Sequence, residues 1–360
     1  MTLPTIPVVF DGHNDVLLRL YRAGGLAAVR SFETGRTGHI DLPKAQAGGL
    51  AGGFFAVFVP SEIDLDDKLD QMSQASYDLP LPPTISQDQA LPVALAQAAI
   101  LFRLEEIGAL RICRSAADIR ACIADGTLAA ILHMEGAEAI DPDFHALDVL
   151  YHAGLRSLGP VWSRPTIFGE GVPFRFPSDG DIGGGLTDDG LRLVKRCNEL
   201  GVMIDLSHLN MAGFWDVAHH SDAPLVATHS NAHAICPHAR NLTDAQLDAI
   251  RASDGMVGLN YAVAFLRSDG RMVDTGLDDM LRHLDHLLAK LGESRVGLGS
   301  DFDGAMIPSQ IGTAAGLPAL RQAMTDHGYG ADLIEKLCYG NWLRVLEKTW
   351  GHQEIPTGAA

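Results

Sequence analysis

The sequence predicts an α/β fold, a (β/α)8 TIM-like barrel with long βα loops and a helical C-terminal extension, in which residues 1–360 form a single domain. Two observations lead to this prediction. Eight short apolar runs alternate with helical patterns, and each run is almost continuously apolar rather than alternating with polar residues. Such runs are typical of parallel strands that are covered on both faces. The 360 residues suffice for one barrel of this class with insertions.

The predicted strands end at polar residues or turn signals. The first (7–10, PVVF) runs into Asp11-Gly12, and the second (54–59, FFAVFV) ends at Pro60. The remaining six strands are predicted at 129–133, 158–162, 202–206, 225–228, 256–259 and 295–299. A doubly wound open sheet is the alternative, but no G-x-G-x-x-G follows the first strand, which disfavours its dinucleotide-binding version.

Helical patterns lie between these strands and after them. They are predicted at 88–107, 116–124, 144–153, 188–200, 243–252 and 277–291, with the C-terminal extension at 331–350. Thr187 and Thr243 are suitable N-caps, and Gly201 and Gly292 are suitable glycines just after a helix. Three long connections, at 17–52, 61–87 and 163–185, are predicted as loops of the kind that form lids or binding sites.

Composition and charge exclude several classes of protein. A chain with 47% hydrophobic and 20% charged residues is globular rather than disordered. Its formal net charge of −18 disfavours binding to nucleic acid and to anionic membranes. It has no apolar window of membrane-spanning length, and no basic segment precedes an apolar stretch at the N-terminus. The five cysteines are scattered without C-x-x-C spacing. We therefore expect a cytoplasmic protein with reduced thiols.

Polar residues that can bind metal follow five of the predicted strands. His13 and Asp15 follow the first strand, and because they are two residues apart an extended backbone points both the same way. Glu135, His208 and His229 follow later strands, and Asp301 follows the last one. The carboxyl ends of barrel strands meet on one face, where active sites are built.

His, Asp and Glu without thiolates are ligands suited to zinc or a similar divalent ion. Five such residues exceed what one tetrahedral ion needs, but Glu135 could bridge two ions with its two oxygens. A shared water of lowered pKa would then act as nucleophile, and Asp301 could transfer its proton. Each residue alone also fits a structural role, as a hydrogen-bonding pair or a capping histidine. Their joint occurrence at matched strand ends favours the metal site.

The remaining polar residues are less specific. Asp205 is expected to support the site, and His133 and His233 could orient its ligands. Arg240 is either an ordinary loop arginine or a group that binds a substrate carboxylate. The histidines expected to be incidental are His219, His220, His283, His286, His327 and His352.

Several longer motifs, in order along the chain, point to a known family. They are DGHND (11–15), HIDLPKAQAGGLAGGFFAVFVP (39–60), HMEG (133–136), LTDDGLRLVKRCNELGVMIDLSH (186–208), THSNAHAICPHARN (228–241), VGLGSDFDG (296–304) and GNWLRV (340–345). With these motifs the chain resembles the membrane (renal-type) dipeptidases, metallopeptidases of the amidohydrolase superfamily. The resemblance spans nearly the whole chain.

The resemblance implies a barrel with two zinc ions, the first held by His13 and Asp15 and the second by His208 and His229, with Glu135 as the bridge. It further implies that Asp301 is the acid/base residue and that Arg240 binds the terminal carboxylate of a dipeptide. Family members hydrolyse dipeptides, tolerate a D-residue at the C-terminal position and are commonly homodimers.

One stretch departs from the family pattern. The family often has a substrate-binding histidine just after the fourth strand, where this chain reads LGPVWS (158–163) and Trp162 takes that place. Trp162 either contacts the substrate, donating only through Nε1, or packs as an apolar aromatic. In the second case the metal pair, His133 or Arg164 would have to stabilise the oxyanion.

The sequence therefore predicts a binuclear zinc dipeptidase in which a metal-bridging hydroxide attacks the peptide bond. One alternative is a superfamily hydrolase of another amide or a lactone, such as an N-acyl amino acid, as Trp162 and the 163–185 loop suggest. The other is a non-catalytic metal-dependent binding protein, which the complete ligand set and Asp301 disfavour.

Overall fold

Eight parallel strands form a ring in the computed structural model, which describes residues 7–61 and 70–351. The strands in chain order are β1 (Val9–Asn14), β2 (Leu50–Phe58), β3 (Tyr77–Leu79), β4 (Arg111–Ile112), β5 (Ala129–Glu135), β6 (Leu155–Gly159), β7 (Phe174–Phe176), β8 (Met203–Ile204), β9 (Val226–Ala227), β10 (Met256–Asn260) and β11 (Val296–Gly299). The ring runs β1-β2-β5-β6-β8-β9-β10-β11, and β1 pairs with β11. A parallel bridge between Asp205 and Val226 joins β8 to β9. The predicted barrel is confirmed.

Helices surround this ring. They are α1 (Val16–Arg22), α2 (Val29–Thr34), α3 (Leu42–Gly48), α4 (Gln87–Glu106), α5 (Ala116–Asp125), α6 (His145–Ala153), α7 (Asp188–Leu200), α8 (Met211–His220), α9 (Asp244–Ala252), α10 (Val263–Leu266), α11 (Leu277–Leu291), α12 (Leu317–Asp326), α13 (Ala331–Glu335) and α14 (Asn341–Trp350). Within the described ranges, no helix is long and apolar enough to cross a membrane.

The helix-end predictions hold with small shifts. Thr187 caps α7 by accepting a hydrogen bond from the Gly190 amide at 3.0 Å, and Gly201 ends the same helix in the left-handed region at φ 68°. The predicted helix at 144–153 begins one residue later, because Phe144 itself adopts a left-handed φ of 65° as the N-cap.

The prediction of a loop over residues 17–52 was wrong. Three short helices, α1 to α3, occupy most of this connection. Helices of six or seven residues are too short to be stable through helix propensity alone and depend on tertiary packing. Leu17, Leu20 and Phe32 supply that packing, since each is fully buried.

The other two long connections meet each other. Strand β3, from the 61–87 connection, pairs antiparallel with β7, from the 163–185 connection, with Tyr77 opposite Phe176 and Leu79 opposite Phe174. Residues 62–69 of the first connection lie outside the described residues. Because Phe174 also lines the cavity at the carboxyl ends of the strands, this ribbon forms part of the cavity wall.

The C-terminal extension packs against the barrel interior. It consists of α13, a π-helical segment (Lys336–Gly340) and α14. Trp342 of α14 is fully buried, with its ring centroid 5.0 Å from that of Phe54. Its Nε1 donates a hydrogen bond to the Leu298 carbonyl of β11 at 3.0 Å. A Cβ at Gly12 would lie only 2.6 Å from the indole, so glycine at this strand position makes room for the ring.

Replacing Trp342 with alanine is expected to lower the free energy of unfolding by about 3–5 kcal/mol, because the change opens a large cavity under the barrel. Urea unfolding followed by circular dichroism would measure the loss. Trp215→Ala is the matched control, since Trp215 is only partly buried. An equal loss in both variants would contradict this account of the extension.

Candidate active site

The predicted ligands meet at the carboxyl ends of the strands. His13 lies within β1, Asp15 follows it, Glu135 is the last residue of β5, and His208 and His229 follow β8 and β9. None of the five is more than 5% exposed.

Two groups of predicted ligands share one carboxylate. Nε2 of His13 lies 3.4 Å from Oδ2 of Asp15 and 3.6 Å from Oε2 of Glu135. On the other side, Nε2 of His208 and of His229 lie 3.2 Å and 3.5 Å from Oε1 of Glu135. The two nitrogens of this second group are 3.2 Å apart. Each oxygen of Glu135 therefore faces its own set of ligands.

Hydrogen bonds behind the site orient the imidazoles. The Thr228 hydroxyl donates to Oδ2 of Asp205, so its oxygen is free to accept from Nδ1 of His229 at 2.8 Å. This arrangement leaves the lone pair of Nε2 directed into the site. Ser163 Oγ lies 2.9 Å from Nδ1 of His208 and makes the equivalent contact. Sequence reasoning expected support from Asp205 but missed Ser163 and Thr228.

The electrostatics of the site favour cations. Burial raises the pKa of Glu135 well above its usual range. Burial alone would lower the pKa of His13, but the Glu135 and Asp15 carboxylates outweigh it and raise that pKa to about 10. Burial, together with the charges of Arg240 and His13, holds the pKa values of His208 and His229 well below the usual range. Neutral imidazoles such as those of His208 and His229 are the form that binds a metal ion, and a metal ion would replace the proton that the carboxylates hold on His13.

The donor set fits divalent metal ions. Neither ring nitrogen of His13 has a hydrogen-bond partner among the described residues, although both are buried. Buried polar atoms are expensive without a partner, and a cation between His13, Asp15 and Glu135 would supply one. The second group, of Glu135, His208 and His229, offers nitrogen and oxygen ligands typical of zinc.

Asp301 lies beside these groups. It follows β11 with a left-handed φ of 58°, and its Oδ2 accepts a hydrogen bond from Nδ2 of Asn260 at 3.0 Å. Desolvation raises the pKa of its carboxyl group. Asp301 lines a cavity of about 540 Å³ together with Asp15, Glu135 and His208. A carboxyl group in this position can exchange protons with a molecule in the cavity.

Trp162 forms part of the cavity wall. Its ring makes edge contacts with Phe58 and Phe174, at centroid distances of 5.0 Å and 5.7 Å, and lies 5.8 Å from the ring of His208. The residue therefore packs as an aromatic and also faces the space where a substrate would sit.

The two alternative donors named from the sequence lie away from the cavity wall. Arg164 is fully buried, and its guanidinium donates to Glu138, Ser61 Oγ and the Val59 carbonyl. His133 is also fully buried, with Nδ1 2.9 Å from Ser157 Oγ. Neither residue is among those that line the cavity.

Arg240 is buried rather than exposed on a loop. Its Nη1 donates to Ser230 Oγ and its Nη2 to the His229 carbonyl, both at 3.0 Å. Burial lowers its pKa to about 10, so it stays cationic at neutral pH. Nε is buried without a partner among the described residues, and Arg240 is not among the residues that line the cavity.

His238, which contacts the backbone of Arg240, was not predicted from the sequence to have a role. Nδ1 of His238 accepts a hydrogen bond from the Arg240 backbone amide at 2.9 Å, and the ring packs on Phe265 at 4.6 Å. His233, expected near the site, lies 3.1 Å from the Ser178 carbonyl. His352 lies outside the described residues.

Comparison with known proteins shows the family of this chain. The model of the membrane dipeptidase family (peptidase family M19) matches residues 3–354. A metallopeptidase from Rhodobacter sphaeroides, solved with a phosphinate mimic of the dipeptide L-Ala-D-Ala, is 56% identical, with a TM-score of 0.94 over 96% of this chain and 100% of that one.

Two further relatives extend the comparison. Dipeptidase AC, a metallopeptidase of family M19, is 56% identical, with a TM-score of 0.93 over 96% of this chain and 99% of its own. Dipeptidase verJ of Clonostachys rogersoniana is 27% identical over 350 residues, 96% of this chain and 84% of the relative. The chain thus belongs to the membrane dipeptidase family, peptidase family M19, and is a metallo-dipeptidase.

Proposed function

We propose that this metallo-dipeptidase holds two zinc ions, bridged by Glu135, and hydrolyses dipeptides with a free C-terminal carboxylate. The observation that carries the proposal is the sharing of Glu135, whose two oxygens face two separate ligand groups. Such an ion pair would lower the pKa of a water molecule, so that it can act as the nucleophile at neutral pH, and would stabilise the negative charge that develops on the peptide carbonyl.

The side chains around the metal groups have separate roles in the reaction. Asp301 takes a proton from the nucleophile and delivers it to the leaving nitrogen. Desolvation raises the pKa of its carboxyl group, and the hydrogen bond from Asn260 holds that group in place. Arg240 attracts the carboxylate of the substrate through the positive charge that it keeps although it is buried. Trp162, Phe58 and Phe174 exclude water from the cavity wall.

Tolerance of a C-terminal D-residue is also part of the proposal. The Rhodobacter sphaeroides relative binds a mimic of L-Ala-D-Ala and shares 56% of its sequence with this chain. We expect L-Ala-D-Ala to be cleaved. A homodimer and a cytoplasmic location stay predictions from the sequence.

The proposal is tested with a panel of substrates on the zinc-loaded enzyme. Dipeptides with free C-termini, the same dipeptides amidated, and N-acyl amino acids would be compared by kcat/KM. We expect the free dipeptides to be the best substrates. Cleavage of acyl amino acids without cleavage of dipeptides would instead favour the second candidate, a hydrolase of other amides, which the apolar wall at Trp162 suggests.

Replacing Arg240 with methionine is expected to lower kcat/KM for free dipeptides by about 30- to 1000-fold, the equivalent of losing a buried charge pair of 2–4 kcal/mol. Methionine keeps much of the apolar length of the arginine side chain, but it has no charge and no hydrogen-bond donor. Amidated dipeptides should lose little, because they offer no carboxylate. Steady-state kinetics on both substrate types measures the difference, and an equal loss on both would contradict the assignment.

A further inference from the structure

The loop that carries Asp301 has a strained backbone. Asp301 and Asp303 adopt φ angles of 58° and 67°, in the left-handed region that residues with side chains rarely occupy. Backbone of this kind persists only where the surrounding structure holds it. The contacts of Asp303 show what holds this loop.

Asp303 is hydrogen-bonded to the connection between α2 and α3. Its Oδ2 accepts a hydrogen bond from Nη1 of Arg36 at 2.8 Å, and its Oδ1 accepts one from the His39 amide at 2.7 Å. The Asp303 amide donates in return to Nδ1 of His39 at 2.9 Å. Nε of Arg19 donates to the Asp303 carbonyl at 2.7 Å. We refer to Arg36, His39 and Asp303 as the clasp.

The ion pair of the clasp is shielded from water. The side chains of Arg36 and Asp303 are 9% and 2% exposed. A charge-assisted hydrogen bond is stronger in such surroundings than on the surface. Nη1 of Arg36 also donates to the Ile40 carbonyl, and the Arg36 amide donates to Oδ2 of Asp41, so the connection is itself fixed.

The clasped loop lies directly against the reacting groups. The Asp301 amide donates to the His13 carbonyl at 3.0 Å, and the Asp15 amide donates to the Phe302 carbonyl at 2.8 Å. A Cβ at Gly304 would collide with the carboxylates of both Asp15 and Asp301. A shift of Asp303 therefore moves the carboxyl group of Asp301 relative to the metal ligands.

We infer that Asp303, held by Arg36 and His39, is a positioning residue that keeps the Asp301 carboxyl group aligned for proton transfer. This inference rests on the proposed role of Asp301. The α2–α3 connection would then affect catalysis through Asp303, although it lies outside the ring of strands and contributes no ligand to the metal groups.

The test is a comparison of Asp303→Asn and Arg36→Gln in the zinc-loaded enzyme with L-Ala-D-Ala. Each is expected to lower kcat by about 10- to 100-fold, because small misplacements of a reacting group are costly. KM should change less than about twofold, and the zinc content should stay at that of the unmodified enzyme, since no ligand is altered. Arg36→Lys, which keeps the charge, should recover part of the lost kcat. The double variant should lose no more than the worse single variant.

Arg30→Gln is the matched control, because Arg30 pairs with Glu33 in the adjoining helix α2, on an exposed surface. It should leave kcat unchanged. Normal kcat in the clasp variants would overturn the inference. A loss of activity that comes from a lower zinc content or a higher KM would overturn it as well. Asp301→Asn, assayed in parallel, separates the two proposals. If that variant is inactive while the clasp variants are normal, only the clasp inference fails. If it is fully active, the role of Asp301 fails as well.

Discussion

Asp301→Asn is expected to lower kcat by about 10²- to 10⁴-fold, the usual contribution of a general acid–base group. The amide matches the carboxyl group in size and can still accept the hydrogen bond from Asn260, but it cannot carry the proton. Because Asp301 belongs to neither ligand group, the variant should bind as much zinc as the unmodified enzyme.

Two measurements on this variant are needed together. Metal analysis of the purified protein gives zinc per chain, and steady-state kinetics with a dipeptide gives kcat. Full activity would remove Asp301 from the reaction. Inactivity with loss of zinc would show that Asp301 serves the metal groups rather than the proton.

Glu135→Gln is expected to abolish dipeptide hydrolysis and to lower the bound zinc. The amide offers one neutral oxygen where the carboxylate offers two charged ones, so the two ligand groups lose their shared member.

Asp301→Asn serves as the control for this prediction, since it too replaces a carboxylate in the cavity but alters no ligand of either group. Zinc analysis after dialysis against a weak chelator should show a loss for Glu135→Gln alone. Two tightly held zinc ions per chain in Glu135→Gln would contradict the bridging role.

The barrel could be predicted from the sequence because its strands carry strong local signals. Runs such as 129–133 are apolar on both faces and end at polar residues, and β5 does end at Glu135. Polar residues at such ends must converge when the strands are parallel, so the residues that the structure brings together could be named in advance.

Features that depend on tertiary contacts could not be predicted in the same way. The helices α1 to α3 are too short to give a periodic signal, and the β3–β7 ribbon pairs segments about a hundred residues apart. The orientation of Arg240 depends on Ser230 and His238, and no sequence spacing indicates those contacts. The contact between Asp303 and Arg36 could not be predicted either, because the two residues lie 267 positions apart in the chain.

Two zinc ions that share Glu135 are expected to be required for dipeptide hydrolysis. Titration of the metal-free enzyme with zinc, while hydrolysis of L-Ala-D-Ala is measured, tests this requirement. Activity should rise until two equivalents of zinc are bound per chain and then stay constant. Full activity at one equivalent, or none at two, would contradict the requirement.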